Sequence, residues 1–164
     1  MPTRFLVPLG LLVALAGCKT VPLPEPIEIE VPASLTAQQV ELAILSGILN
    51  KRPPANYDPR VGLPEAEFQS LVWDHYLQSA SARSWFPESR EPGYVVAAVS
   101  ARRHYLRVGI SFDTRVITIR ILESRNLLQS SGRIHKRVPL WLERLNEHIR
   151  RELGRMSFAS RSAA

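Results

Sequence analysis

"RRHYLRVGISFDTRVITIRILE", residues 102–123, decides the fold. His104, Leu106, Val108, Ile110 and Phe112 alternate with Arg103, Tyr105, Arg107, Gly109 and Ser111. Beyond Asp113-Thr114, Ile117, Ile119 and Ile121 alternate with Thr118 and Arg120. A period of two with one apolar side is the mark of a half-buried strand, and two such runs joined by a short polar link make a hairpin. Both apolar sets must face one core, and a one-residue slip turns a strand over. A two-residue loop opposes Ile110 to Ile117, and a four-residue loop over residues 113–116 opposes it to Ile119. A three-residue loop would oppose Ile110 to Thr118 and is disfavoured. The pattern leaves the first two open.

Outward from the hairpin, Tyr94 to Ala101 is a β-branched and small apolar run behind the turn signal Arg90-Glu91-Pro92-Gly93. The period changes at Trp85. On the other side, residues 124–138 are rich in Ser, Gly and Arg and read as a loop. Pro139 suits a helix start. Trp141, Leu145, Ile149 and Leu153 then share a face, with Leu142 beside them and Glu147 and Arg151 spaced for an i,i+4 pair. Gly154 reads as the helix end, leaving 155–164 as a flexible tail.

Nearer the start, Thr36-Ala37-Gln38-Gln39 fits a capping box. Val40, Ala43, Ile44 and Ile48 follow on one helical face, and Lys51-Arg52-Pro53-Pro54 stops the helix. Residues 53–63 read as a loop, and Pro64 opens an extra helix with Phe68, Leu71, Val72 and His75 on one side. The expected fold is α+β. An antiparallel meander of about four strands carries the N- and C-terminal helices on one face, with the extra helix inserted. Residues 36–154 form the single domain, and 53–82 are its inserted loop and helix.

Cys18 is the sole cysteine. A buried thiol, the end of a membrane span and a lipid attachment site compete for it. Arg4 precedes an apolar stretch, Phe5 to Ala16, of 12 residues that includes Pro8 and Gly10. A span needs about 20 apolar residues, whereas a short apolar segment behind a positive start has the shape of a secretory signal. Leu15-Ala16-Gly17-Cys18 resembles the bacterial lipobox, in which the cysteine sulfur takes a diacylglycerol and the chain is cut before it. On that reading 1–17 are a signal peptide, and the 147 residues from Cys18 to Ala164 are anchored by lipid. An acylated thiol forms no disulfide, so the fold rests on its core. Lys19 stands where the resemblance would put Asp for inner-membrane retention. That points to the periplasmic side of the outer membrane. Residues 18–35 carry Pro22, Pro24, Pro26 and Pro32. A polyproline tether of about 3.1 Å per residue is favoured there over an edge strand at Ile27–Val31 and would reach ~50 Å.

Charge is divided. Residues 18–101 hold six Lys/Arg and ten Asp/Glu, a balance of −4, and residues 102–155 hold thirteen against five, +8. An open sheet face with Arg103, Arg107 and Arg120 suits an anionic envelope component (lipid headgroups or lipopolysaccharide phosphates) or an acidic protein. The plainer reading is a solvated face whose charge prevents edge-to-edge pairing. Nucleic acid is no partner for a periplasmic chain. No metal spacing, nucleophile elbow, P-loop or dinucleotide fingerprint occurs among the residues, so no cofactor is expected. Ser124, Arg125, Asn126 and His135 flank one loop. A Ser/His site there is the enzymatic rival to a non-catalytic binding module; such residues more often close turns and cap backbone groups. A structural lipoprotein bound to peptidoglycan is a third class.

Trp85, Pro92-Gly93, Arg102-x-His104, Ser124-x-Asn126-Leu127, Ile134-His135 and Trp141 together resemble a family of short, uncharacterised bacterial lipoproteins. The likeness runs from about residue 36 to 153. It implies a lipid-anchored α+β domain and no activity. Residues 53–82 are additional to the family pattern, and Lys136 to Leu140 replace a Tyr-Asn pair before the tryptophan.

Overall fold

In a computed structural model, residues 20–50, 64–70, 84–128 and 130–162 are described. They form strands β1 (Thr20–Pro22) and β2 (Ile27–Glu30), then helix α1 (Ala37–Leu49). The strands β3 (Trp85–Glu91), β4 (Tyr94–Ala101), β5 (His104–Phe112), β6 (Val116–Arg125) and β7 (Arg133–His135) follow, and helix α2 (Val138–Ser162) is the last described element. Residues 65–70 are also helical.

The meander is present as β6-β5-β4-β3, all antiparallel, and the fold is α+β. Ile110 opposes Ile119 and Phe112 opposes Ile117, the register of the four-residue loop. Asp113 fixes that loop. Its Oδ1 accepts the backbone N–H groups of Arg115 at 2.6 Å and Val116 at 2.8 Å. These two bonds, Val116 foremost, hold the Asp113 carboxyl below its usual range. Two bulges re-aim side chains. In β3 the register shifts between Pro87 and Ser89, so Glu88 is the extra residue. In β6 Val108 faces Ile121 while Arg107 faces Glu123, which makes Leu122 the extra residue and leaves it exposed. A bulge places two residues against one; here it puts Glu123, instead of Leu122, opposite Arg107.

The segment expected to be a tether is instead woven into both sheets. β2 lies on the outer side of β6, with Ile29 opposite Ile117 and Ile27 opposite Ile119. β1 pairs with β7, Thr20 opposite His135, and the Leu23 N–H reaches the Gly132 carbonyl at 2.8 Å. Ile29 is fully buried. The prolines fall at Pro22, Pro24, Pro26 and Pro32, at strand ends and between strands, where the missing N–H costs no ladder bond.

Both helices cover the sheet's apolar face. α1 opens with the expected box: Thr36 accepts from the Gln39 N–H and the Gln39 side chain accepts from the Thr36 N–H. Asn50 ends it in the left-handed conformation. Leu42 to Leu49 are all buried, because α1 meets β3 on one side and α2 on another. A helix apolar on nearly all sides can only be stable inside a core. The helices run antiparallel, since Gly47 meets Ile149 while Gln39 bonds Ser160 at 3.2 Å. A Cβ on Gly47 would lie 2.9 Å from the Ile149 Cα, so the crossing requires glycine.

The tail expected after Gly154 is helix through Ser162. Met156 and Ser157 are buried, and Ser157 shares a hydrogen bond with Ser34 at 3.1 Å. Packing outweighs the weak helix propensity of a single glycine. The Glu147–Arg151 pair does not form. Arg151 turns to Asn50 at 2.8 Å and to Glu152 at 3.6 Å, and buried Glu152 is held by Arg155 at 2.7 Å. In the insertion, Phe68 is buried under the Arg90 guanidinium at 4.6 Å, and Arg90 also reaches Glu65 and Glu41. The rest of that helix, with Leu71, Val72 and His75, lies outside the described residues.

Candidate functional site

Three surfaces come under consideration, and the sheet's open face is the first. Tyr94 lies across Gly109, whose missing Cβ leaves room for the ring. Glu88, displaced outward by its bulge, accepts the Tyr105 hydroxyl and the Arg107 Nε–H, each at 2.7 Å. Arg125 pairs with Glu123 and lies over the Tyr105 ring, 4.8 Å from its centroid. Loss of solvent and the bond to Glu88 push the Tyr105 phenol up to about 12, and the Arg125 hydrogen bond holds Glu123 below the usual carboxylate range. Arg107 and Arg125 are therefore matched by acids that the sequence placed on other strands or beyond the alternation. Arg120 is exposed on this face and makes no ion pair among the described residues. Arg103 does not belong to the face. It sits in the β4–β5 turn beside Arg102, whose φ is 59°.

The second surface is the corner where the 124–137 loop meets that turn. The Asn126 side chain donates to the Arg103 carbonyl at 2.6 Å, with Asn126 itself at φ 56°. The Asn126 carbonyl faces His104 Nδ1 at 2.6 Å. A carbonyl only accepts, so His104 carries its hydrogen on Nδ1. His135 behaves oppositely: its Nδ1 faces the Arg137 N–H at 3.2 Å, so the neutral ring holds its hydrogen on Nε2. The rings stand 5.7 Å apart, tilted by 30°. Ser124 lies opposite Leu106 in the β6 ladder. The structure thus brings Asn126 and His135 together, adds His104, and commits their groups to backbone partners. Among the described residues no three His, Cys, Asp or Glu side chains converge to hold a metal ion.

The third surface had no single stretch to announce it. The C-terminal end of α1, the start of β3 and the first turns of α2 enclose a cleft of about 360 Å³. Trp85 and Trp141 supply its aromatic wall, Arg137 and Arg144 its cations, and His148 an imidazole. No acid lines it. Neither arginine side chain makes a hydrogen bond or ion pair among the described residues. From Arg137, the residue before α2, the spacing 137, 141, 144, 148 is i, i+4, i+7, i+11, one continuous stripe. That stripe was the available signal; reading Trp141 only as a core residue hid it. Trp141 is half-buried.

Cys18 lies outside the described residues. No helix among the described residues is long and apolar enough to cross a membrane. No protein-family model, curated protein or solved structure matches the chain.

Proposed function

We propose that this chain is a lipid-anchored envelope protein, held through Cys18 on the periplasmic side of the outer membrane, which binds an anionic partner and performs no catalysis. The observation that carries the binding reading is the cleft between α1 and α2. Two indoles beside two arginines whose side chains have no partner, with no carboxylate in the wall, all among the described residues, suit an anion that carries a ring. The rival Ser/His site gains no support, since Asn126 and His135 are engaged by the backbone at their loop. The lipobox likeness of residues 15–18 supports the anchor.

The test uses paired probes. Titration with glucose 6-phosphate should change tryptophan emission, whereas glucose should not. Arg144→Gln should weaken the response at least about tenfold, the effect of losing one charge-assisted contact. Equal responses to the two sugars, or an unchanged Arg144→Gln, would refute the cleft. The anchor has its own measurement: Cys18→Ser should shift the protein from the membrane fraction to soluble or unprocessed forms, and intact mass should show acyl chains on the processed wild type.

A further inference from the structure

We infer that the domain lies flush on its own membrane, with one basic corner as the docking surface for anionic lipid headgroups. The inference rests on acylation of Cys18. A tether would have let the domain float, but the structure leaves none. Thr20 is already paired with His135, and Arg133 clamps it, donating to the Thr20 carbonyl at 2.9 Å and to its hydroxyl at 3.2 Å. Lys19 alone separates Thr20 from Cys18. Two residue steps span at most ~7 Å, less than the ~8 Å over which charges are felt at physiological salt. Whatever surrounds Thr20 therefore sits among the headgroups.

What surrounds Thr20 is basic. Lys136 and Arg137 follow directly on His135, its partner. The His135 ring stands beside His104, which closes the turn holding Arg102 and Arg103. All four cations are exposed, and none of their side chains has a hydrogen bond or ion pair among the described residues. The neighbouring acid, Glu123, is taken by Arg125. The first turn of α2, which begins here, carries no acid, so its positive end adds to the field.

The experiment is co-sedimentation of the full Cys18→Ser chain with vesicles of phosphatidylcholine alone or with added phosphatidylglycerol. Binding should be at least about tenfold tighter to the anionic vesicles and fall with salt. Arg102→Gln/Arg103→Gln and Lys136→Gln/Arg137→Gln should each remove most of that preference. Arg115→Gln/Arg120→Gln, which takes one exposed cation from the β5–β6 loop and one from β6, should leave it unchanged. No preference for phosphatidylglycerol, or equal loss in all three variants, would overturn the docking surface. Intact mass of the wild type judges acylation separately, so a chain that prefers anionic vesicles yet carries no acyl group would sink the anchor alone.

Discussion

Gly109 and Tyr94 act as one unit. The Tyr94 ring occupies the space a side chain would take on β5, with its Cζ 2.9 Å from the position of an added Cβ. Gly109→Ala should cost about 1–3 kcal/mol, the usual cost of forcing atoms into a filled site. Equilibrium urea unfolding reads this, and adding Tyr94→Ala should recover part of the loss. A Gly109→Ala chain as stable as wild type would show that the ring moves aside freely. Tyr105 has a spectroscopic signature. It is one of four tyrosines, and burial with the Glu88 bond raises its phenol to about 12. In an absorbance titration one tyrosine should ionise late, and Tyr105→Phe should delete that late component. The sign follows by linkage. A phenol whose value is higher in the folded protein contributes stability below its unfolded value of ~10, and loses that contribution as pH rises through the folded value. Wild type should therefore lose stability toward pH 12 more steeply than Tyr105→Phe.

Among the elements, α2 carries two opposed glycine predictions with α1. Gly154 has open space around its Cα, and a Cβ there would meet nothing within 4 Å. Gly154→Ala should stabilise by about 0.5–1 kcal/mol through helix propensity and unfolded-chain entropy. Gly47→Ala, driven against the Ile149 backbone, should destabilise by about 2–3 kcal/mol. Thermal melts of the two variants should move in opposite directions. The sequence could distinguish neither case, because a helical glycine looks the same beside solvent or beside another helix. Strong local periods were legible: the β5–β6 hairpin, the capping box at Thr36 and the start of α2 all stand where alternation and cap chemistry put them. β1 was not legible as a strand, and β2 showed only as the weaker alternative that the Ile27–Val31 alternation allows beside a proline tether. Three and four residues among prolines carry too little local signal, and what makes them strands is the waiting ladders of β7 and β6. The cleft was hidden for the same reason, as its walls come from α1, β3, β4 and α2.

For the whole molecule, the opening residues belong to the body. Ile29 and Val31 are core residues, and β2 shields the outer side of β6. Deleting residues 20–31 should abolish cooperative unfolding. Each fully buried aliphatic contributes roughly 1.5–3 kcal/mol, and a domain has only about 5–15 kcal/mol in hand. Calorimetry decides it: a truncated chain that melts as sharply and as high as wild type would restore the tether. Ser34 and Ser157, bonded across 123 positions, tie the beginning of the folded body to its end. A ribosome delivers those partners at opposite extremes of synthesis. β2 must wait for β6, β1 for β7, and Ser34 until α2 has nearly emerged, so the opening residues stay unpartnered for most of synthesis. Contacts this distant along the chain also slow closure. Such a polypeptide remains pliable for most of its making, the condition in which a chain can be threaded through a narrow passage before it sets.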